Sequence, residues 1–318
     1  MRGLNVSNMH LHNDVFYPHR TNIISELVKG KRVPGPIWQK REYRLKFLLR
    51  SLLFWSSTHR VLETLSGRDD FDRLLASQIT LPSKTHRQYL MRGLTAGDRA
   101  DAIISHYHWV DSLKNITLAN ALTSPQEQTI VQFQAKNDAT YTVSASSAGK
   151  AEREGESTLW LRDSENTVLA SLTFSVARSN GQRVLVIGGL QGPRRNVSHD
   201  AIKLATRACH GLFPKRVLME VVFQLAAHSS ARAIFAVGDE GHVFRALRYR
   251  LSKGRHFHAS YDEFWASLDG KKISPFCWQL PLQMERKSLE DIASKKRAEY
   301  RRRFELLDCI EAEVKSRF

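Results

Sequence analysis

The dipeptide Asn180–Gly181 lies between two runs that are rich in β-branched residues, TVLASLTFSVARS and QRVLVIGGL. A type I′ hairpin turn needs positive φ at both central residues, and Asn-Gly meets that need with little strain. Three earlier segments, TIVQFQA, ATYTVSAS and STLWLRD, also show strand patterns with alternating or β-branched residues. The stretch that begins near Thr123 therefore predicts an antiparallel meander.

Helical patterns flank this meander. Residues 38–122 contain three predicted helices, and in the first of them Leu45, Leu48, Leu49, Leu52 and Leu53 share one face. After the meander come a helical stretch up to His228, a short strand ARAIFAVGD, a helix capped by Asp239, a last strand FCWQLPL and a basic helix. This order predicts an α+β (mixed α/β) fold, with a helical N-terminal subdomain followed by a mixed, largely antiparallel sheet with flanking helices. The expected divisions are a loosely ordered lead-in at 1–37, a helical subdomain at 38–122, an α/β domain at 123–284 and a C-terminal helix at 285–318.

The charge balance narrows the classes of partner. The chain has 48 Lys and Arg against 32 Asp and Glu, a net charge of +16, which favours anionic partners such as nucleic acid or an acidic membrane surface. Its three cysteines are widely spaced, so they predict neither a disulfide framework nor a zinc site. The N-terminus lacks a signal-peptide pattern, and the longest apolar runs are too short to cross a bilayer. We expect a cytoplasmic protein that could meet the inner membrane peripherally.

Several motifs together resemble the VirK/YbjX family of bacterial proteins. They are KTHRQYLMRGLTAGDRADAIISHYHWV (84–110), IGGLQG (187–192), KLATRACHGLFPKRVLMEVVFQLA (203–226), IFAVGDEGHVFRALRYR (234–250), YDEFWASLDG (261–270) and KKRAEYRRRF (295–304). The resemblance implies a role in virulence, in cell-envelope properties and in resistance to cationic antimicrobial peptides. It implies no particular reaction and no catalytic residues.

The element order from Thr158 to Leu282 also resembles the acyltransferase superfamily typified by GCN5-related N-acetyltransferases. In that superfamily the end of a meander strand and the N-terminus of the following helix hold the pyrophosphate of an acyl-CoA. A similar fold does not by itself determine function.

The glycine-rich segment GGLQGPRR is the first candidate site. Its backbone amides could turn toward an anion and its arginines could pair with phosphate, which makes ligand-binding candidates of Gly188, Gly189, Gln191, Gly192, Arg194 and Arg195. The spacing matches neither the dinucleotide-binding glycine motif nor a P-loop. The alternative, slightly favoured, is a strand that bulges and leaves its sheet through Gly and Pro.

The segment GDEGHVFRALRYR is the second candidate site, because ligands commonly lie at strand ends in α/β proteins. Asp239 or His242 could act as a base, Tyr249 as an acid and Arg245 as a ligand-binding cation. The alternative is a capping aspartate, a hydrogen-bonded histidine and a basic surface helix.

Histidine pairs and basic stretches complete the candidates. His106 and His108 point to different faces of a helix, and His256 and His258 lack nearby ligands, so we expect no metal. The segment KKRAEYRRR carries six cations in nine residues, listed as Lys295, Lys296, Arg297, Arg301, Arg302 and Arg303. They could bind anionic lipid or, with less support from motifs, nucleic acid; a solvated helix is the equal alternative.

Three functional hypotheses follow from these residues. The first is an acyltransferase-like enzyme that uses an acyl thioester, with acyl-CoA or acyl-carrier protein as cofactor. The second is a non-enzymatic basic protein that binds anionic lipid or nucleic acid. The third is a regulator or chaperone of surface proteins. The acyltransferase hypothesis predicts a cleft where strand 184–190 separates from strand 233–237.

Overall fold

A computed structural model describes residues 23–194, 196–245 and 261–318. Six α-helices precede the sheet in this part of the chain: α1 (Ile23–Lys29), α2 (Arg41–Leu53), α3 (Trp55–Ser66), α4 (Phe71–Ser77), α5 (Ala96–Asp111) and α6 (Ile116–Thr123). Local sequence explains several of their ends. Thr95 and Asp98 form a capping box at the start of α5, and α3 ends at Gly67.

Five strands then form the predicted meander: β1 (Gln128–Gln134), β2 (Thr140–Ser147), β3 (Ser157–Arg162), β4 (Val168–Ser179) and β5 (Gln182–Gln191). The Asn180–Gly181 turn between β4 and β5 has φ of +50° and +75°, as a type I′ turn requires. Each strand pairs antiparallel with the next. The meander prediction is confirmed.

The chain then crosses over through two helices, α7 (His199–Ala208) and α8 (Pro214–His228), to β6 (Ala233–Val237). Pro214 occupies the first turn of α8, where its missing N–H costs nothing. Strand β6 lies parallel to β5, the one parallel pair in the described sheet. Helix α9 (Tyr261–Ala266), a hairpin of β7 (Lys271–Ser274) and β8 (Cys277–Leu280), and α10 (Ser294–Lys315) complete the fold.

The sheet has eight strands in the order β1-β2-β3-β4-β5-β6-β8-β7. Helices α5 and α8 both pack against β4, and α10 packs against α8 and β1. The buried apolar residues of the helical half and of the sheet form one continuous core. The predicted α+β fold with a mixed, largely antiparallel sheet and flanking helices is therefore confirmed.

Four features of the structure go beyond the sequence expectations or differ from them. Helix α1 lies inside the stretch that we expected to be a loosely ordered lead-in, and its Ile23, Ile24 and Leu27 are buried. The leucine face of α2 points outward, while Phe47 and Ser51 of the same helix are buried. Strand β7 was not predicted. The helix predicted after Asp239 is a single 3-10 turn, Val243–Arg245, within the described residues.

Candidate functional site

Strand β5 extends beyond the end of its parallel neighbour β6. The two strands pair from Val184 with Ala233 to Ile187 with Ala236, which covers all of β6 except Val237. The last four residues of β5, which runs to Gln191, therefore have no partner in β6. We call the space beside them the gap, and the side chains that fill it form the candidate site.

A β-bulge at Gly188 shapes the β5 side of this gap. Thr173 of β4 pairs with Gly189 and Phe174 pairs with Ile187, so Gly188 is the extra residue. A Cβ on Gly188 would lie 2.0 Å from the Glu154 carbonyl oxygen, and one on Gly189 would lie 1.9 Å from the Glu154 carboxylate. Gly188 is thus required by the close approach of the backbone before β3, whereas a side chain at Gly189 would displace the Glu154 carboxylate. The space where a Cβ would lie on either glycine is already occupied by protein atoms.

Glu154 and His242 form a buried pair in the gap. His242 is fully buried and Glu154 is nearly so. Glu154 Oε1 lies 3.2 Å from His242 Nε2, and His242 Nδ1 accepts a hydrogen bond from the Phe244 N–H at 3.4 Å. Because Nδ1 accepts this hydrogen bond, Nε2 is the ring nitrogen that faces the Glu154 carboxylate.

Tyr261, the first residue of α9, closes the gap from the other side. Its hydroxyl oxygen accepts hydrogen bonds from the Leu190 N–H at 3.3 Å and from Gln191 Nε2 at 2.9 Å. Its ring lies 5.6 Å from the His242 ring. Burial, reinforced by the Glu154 charge, raises the pKa of Tyr261 well above its usual range. The phenol therefore stays protonated at neutral pH and can donate a hydrogen bond.

Asp239 holds the loop after β6 to α9. Its carboxylate accepts the Tyr261 N–H at 2.8 Å, so it caps α9 rather than the turn that directly follows it. In return, Asp262 Oδ1 accepts the Asp239 N–H at 2.9 Å and the Trp278 indole N–H at 2.9 Å. Trp265 Nε1 donates to the Val237 carbonyl at 2.8 Å. These bonds fix Tyr261 at the strand ends.

A mostly apolar cavity of about 430 Å³ lies beside the loop after β5. Gly192, Phe213, Lys215 and Phe264 line it, and α8 begins at its wall. Lys215 Nζ lies 5.7 Å from the Phe264 ring centre, and burial lowers the pKa of this lysine. The cavity thus has an apolar wall next to the N-terminus of α8, the positive end of the helix dipole, and next to the partly desolvated Lys215 ammonium.

The other predicted ligand residues lie around this cavity or outside the described chain. Gly192 and Arg194 are exposed, and Gln191 is half-buried. Arg195 and Tyr249 fall outside the described residues, as does the side chain of Arg245. The structure thus brings Gly188, Gly189, Gln191 and His242 together, with Asp239 one hydrogen bond away through Tyr261.

A second buried polar cluster lies two residues from Glu154. Lys84 Nζ donates to Glu156 Oε1 at 2.7 Å, and the two side chains are 1% and 0% exposed. Tyr107 also donates to Glu156, at 2.8 Å, and Gln78 bonds both members of the pair. Burial and the Glu156 charge raise the pKa of Tyr107 well above its usual range. This cluster joins the helical half to the sheet and fixes the segment that carries Glu154.

The basic residues of α10 divide into two groups. Lys295, Lys296, Arg301 and Arg302 are exposed. Arg297 and Arg303 instead donate to protein carbonyls, at Ile292 and His210. The exposed group spans the first turns of α10 and is spread around the helix rather than confined to one face.

The histidines of α5 have different surroundings. His106 is fully buried; its Nδ1 accepts the Val176 N–H, and its Nε2 lies 3.1 Å from Ser157 Oγ. His108 is exposed. Within the described ranges, no three His, Cys, Asp or Glu residues cluster as metal ligands would, and no helix has the length and apolarity needed to span a bilayer. His256 and His258 lie outside those ranges.

Sequence reasoning missed Glu154, Tyr261 and Lys84 as site or cluster residues. Tyr261 and Lys84 each stand in a motif that carries the family resemblance, and that was the available signal. Glu154 lies in the short connection AEREGES, where nothing in the local pattern indicates that a carboxylate will be buried. Only the packing of this connection on the Gly188 bulge reveals it.

Comparison with known proteins identifies the family. The family described as "Protein of unknown function (DUF535)" matches residues 36–316. The uncharacterized protein YbjX of Escherichia coli strain K12 is 37% identical over 298 residues, which cover 93% of this chain and 90% of YbjX. An uncharacterized protein of Haemophilus influenzae strain Rd is 25% identical over 279 residues, covering 88% of this chain and 91% of that protein. No solved structure matches.

The fold and the match over most of the chain define one class, an α+β protein built on a single mixed sheet. The chain belongs to the DUF535 family, and this confirms the resemblance to VirK/YbjX proteins.

Proposed function

We propose that this protein is an acyltransferase-like enzyme that binds an acyl thioester where β5 extends beyond β6. One observation carries the proposal. The parallel pairing of the two strands stops after four residue pairs, and buried Glu154, His242 and Tyr261 occupy the gap. Four of the five residues of β6 pair with β5, so the strands do not diverge as the acyltransferase hypothesis predicted, and the proposal rests on the buried residues beside the free end of β5.

The cavity beside Gly192 is the proposed site for the phosphate-bearing arm of the thioester. Its apolar wall suits an alkyl or pantetheine chain, and Lys215 with the N-terminus of α8 would face the phosphate. Arg194, exposed in the same loop, adds a second cation. Either acyl-CoA or acyl-carrier protein presents this combination of phosphate and apolar arm.

The proposed reaction moves the acyl group from sulfur to a nucleophilic X–H group of an acceptor. His242 Nδ1 takes the proton from X as the acyl carbon bonds to X, and Glu154 stabilises the resulting imidazolium through Nε2. The carbon–sulfur bond breaks, the His242 imidazolium gives its proton to the leaving thiolate, and the Tyr261 hydroxyl donates a hydrogen bond to that sulfur. Since His242 is buried, Phe244 must move before an acceptor can reach Nδ1.

Thermal unfolding with CoA, acyl-CoA and acyl-carrier protein tests the binding step. A ligand at a hundredfold excess over its Kd stabilises the native state by about 2.7 kcal/mol, a readily measured shift in Tm. We expect Lys215→Ala to weaken binding by roughly tenfold, because a charge-assisted hydrogen bond is lost. Lys203→Ala, at an exposed position on α7, is the matched control and should bind normally. Absence of stabilisation by all three ligands would contradict the proposal.

Tyr261→Phe tests the chemical step. This change keeps the ring and removes the hydrogen-bond donor to the leaving sulfur, so the acyl-transfer rate should fall by about 10²–10³-fold while thioester binding is retained. Tyr43→Phe removes a hydroxyl that lies 3.2 Å from Ser83 Oγ in the helical half, and it should leave the rate unchanged. Equal rates for Tyr261→Phe and the wild type would exclude Tyr261 from the reaction.

The exposed cations of α10 favour a second candidate function, non-enzymatic binding of an anionic partner. Lys295, Lys296, Arg301 and Arg302 are exposed near the start of α10, in a chain with net charge +16. Binding to anionic vesicles or to nucleic acid should then weaken steeply as salt rises. A flat salt response would argue against it.

The cellular role that we carry over from the family resemblance is support of virulence and of cell-envelope resistance to cationic antimicrobial peptides. We propose that the protein acts in the cytoplasm, peripheral to the inner membrane. Deletion of the gene should lower survival in cationic peptide, and the wild-type chain should restore it. Restoration by the Tyr261→Phe variant as well would separate this role from acyl transfer.

A further inference from the structure

Helix α2 and the adjacent Trp55 expose an unusual number of large apolar side chains. Leu45, Leu49 and Leu52 are 57%, 59% and 60% exposed, and Leu53 and Trp55 are 75% and 46% exposed. We call these five residues the leucine surface. The four leucines are spaced four, three and one residues apart, which keeps them on a single face of α2.

The orientation of the leucine surface is set by packing on the opposite side of α2. Phe47 is buried there, with its ring 4.9 Å from that of Trp38 and 5.5 Å from that of His86. Ser51 is buried on the same side. The helix is thus anchored through its narrower apolar face, and its wider apolar face is left to solvent.

Cations border the leucine surface on both sides. At about 100° per residue, Arg41 lies on one side of the Leu45 direction and Lys46 on the other. Lys40, Arg41 and Lys46 are exposed, and none of them forms an ion pair in the part of the chain that the structure describes. From Lys29 to Arg60 the sequence holds nine Lys and Arg residues against one Glu.

We propose that the leucine surface docks this protein on an anionic lipid bilayer, with α2 parallel to the membrane plane. The leucines and Trp55 would enter the boundary between headgroups and acyl chains, while Lys40, Arg41 and Lys46 meet the lipid phosphates. This inference does not depend on acyl transfer at the β5–β6 gap. It assigns membrane contact to α2, a surface distinct from the basic start of α10.

The charges favour a bilayer over a second copy of the chain as the occupant. A symmetric dimer through the leucine surface would bring the same patch from each copy together. Three cations, Lys40, Arg41 and Lys46, outnumber the one exposed acidic residue of this patch, Glu42, so both copies would bring the same net positive charge to the interface, which opposes association. An anionic membrane offers both an apolar layer and the opposite charge.

Vesicle flotation with the full-length chain tests the proposal. We expect binding to vesicles of phosphatidylcholine with phosphatidylglycerol and little binding to phosphatidylcholine alone. The triple variant Leu49→Ser, Leu52→Ser, Leu53→Ser should partition roughly tenfold or more less strongly, since it removes most of the buried apolar area. Leu204→Ser is the matched control, because Leu204 is 63% exposed on α7, away from this helix, and should bind as the wild type does.

Charge variants separate α2 from α10. Lys40→Gln, Arg41→Gln, Lys46→Gln should lower vesicle binding and its salt dependence, whereas neutralising the four exposed cations of α10 should leave most of the binding intact. The proposal is overturned if the leucine variant binds like the wild type, if only the α10 variant loses binding, or if neutral and anionic vesicles bind equally. A dimer in sedimentation that the leucine variant abolishes would also overturn it, in favour of a second copy.

Discussion

Removing the positive member of the buried Lys84–Glu156 pair should destabilise the protein severely. In Lys84→Met the Glu156 carboxylate keeps bonds from Tyr107 at 2.8 Å and Gln78 at 3.2 Å but loses the ammonium at 2.7 Å. The remaining charge is 0% exposed, so water cannot replace the lost partner. Breaking a buried pair in this way costs about 3–5 kcal/mol. The expected fall in Tm is roughly 6–10 °C, since ~1 kcal/mol moves the midpoint of a large domain by about 2 °C.

Thermal unfolding followed by circular dichroism measures this fall, with two comparisons. Lys203→Met makes the same substitution in an exposed pair with Asp200, whose side chains are 67% and 80% exposed, and should cost less than about 0.5 kcal/mol. The double variant Lys84→Met, Glu156→Gln removes both charges and should be more stable than the sum of the two single variants implies, by about 1 kcal/mol or more. Equal falls in Tm for Lys84→Met and Lys203→Met, or additive costs in the double variant, would refute the reasoning.

Three further predictions concern stability and reactivity. Gly188→Ala should cost several kcal/mol or prevent folding, because a Cβ there would lie 2.0 Å from a backbone oxygen. Gly192→Ala should be tolerated, since the atom nearest to its added Cβ would lie 4.0 Å away. Soluble yield and Tm measure both variants, and equal tolerance would contradict the close approach at the bulge. Burial, helped by nearby arginines, lowers the pKa of His86 from 6.5 to about 4, so the unfolded chain binds more protons between these pH values and stability should fall as the pH drops from 6.5 to 4. His86→Gln should remove about 3 kcal/mol of that pH dependence in denaturant titrations, and an unchanged slope would contradict it. Among the three cysteines Cys309 is exposed, so a thiol reagent should label one site in the native protein and none in Cys309→Ser.

Burial also explains why the other two thiols should stay unlabelled under native conditions. It raises the pKa of both Cys209 and Cys277 to about 12, so neither forms the reactive thiolate near neutral pH. Rapid labelling of all three thiols in the native state would indicate that the core opens readily.

Local features allowed much of the fold to be predicted. The Asn180–Gly181 turn, the cap at Thr95 and the proline at the start of α8 each act through neighbouring residues and need no partner from elsewhere in the chain. The strand patterns between them predicted five strands that the structure contains. The family motifs likewise pointed to the family that the comparisons confirm.

The leucine spacing of α2 shows where such reasoning stops. A regular apolar face indicates a helix, but the same pattern suits a core and an interface equally well. Here Phe47 on the opposite side of α2 packs against Trp38. Because this side of the helix is buried, Leu49 and Leu53 face solvent. Only the neighbours of the helix decide which face is buried.

Part of the candidate site could be proposed from the sequence, and part of it could not. His242 could be proposed from its position after a buried strand, and Gly188 from the run of glycines that ends β5. The carboxylate of Glu154 that pairs with His242 comes from the connection between β2 and β3, far from both in the sequence.

The sequence by itself determined the meander, its hairpin, the crossover helices and the family, because turns, caps and periodic patterns depend on residues close together in the chain. Tertiary structure alone decided that the glycines of IGGLQG meet the Glu154 segment, that Tyr261 and His242 share the gap between β5 and β6, and that the leucines of α2 face outward. Each of these outcomes depends on contacts between distant segments, and those contacts exist only once the chain has packed into one core.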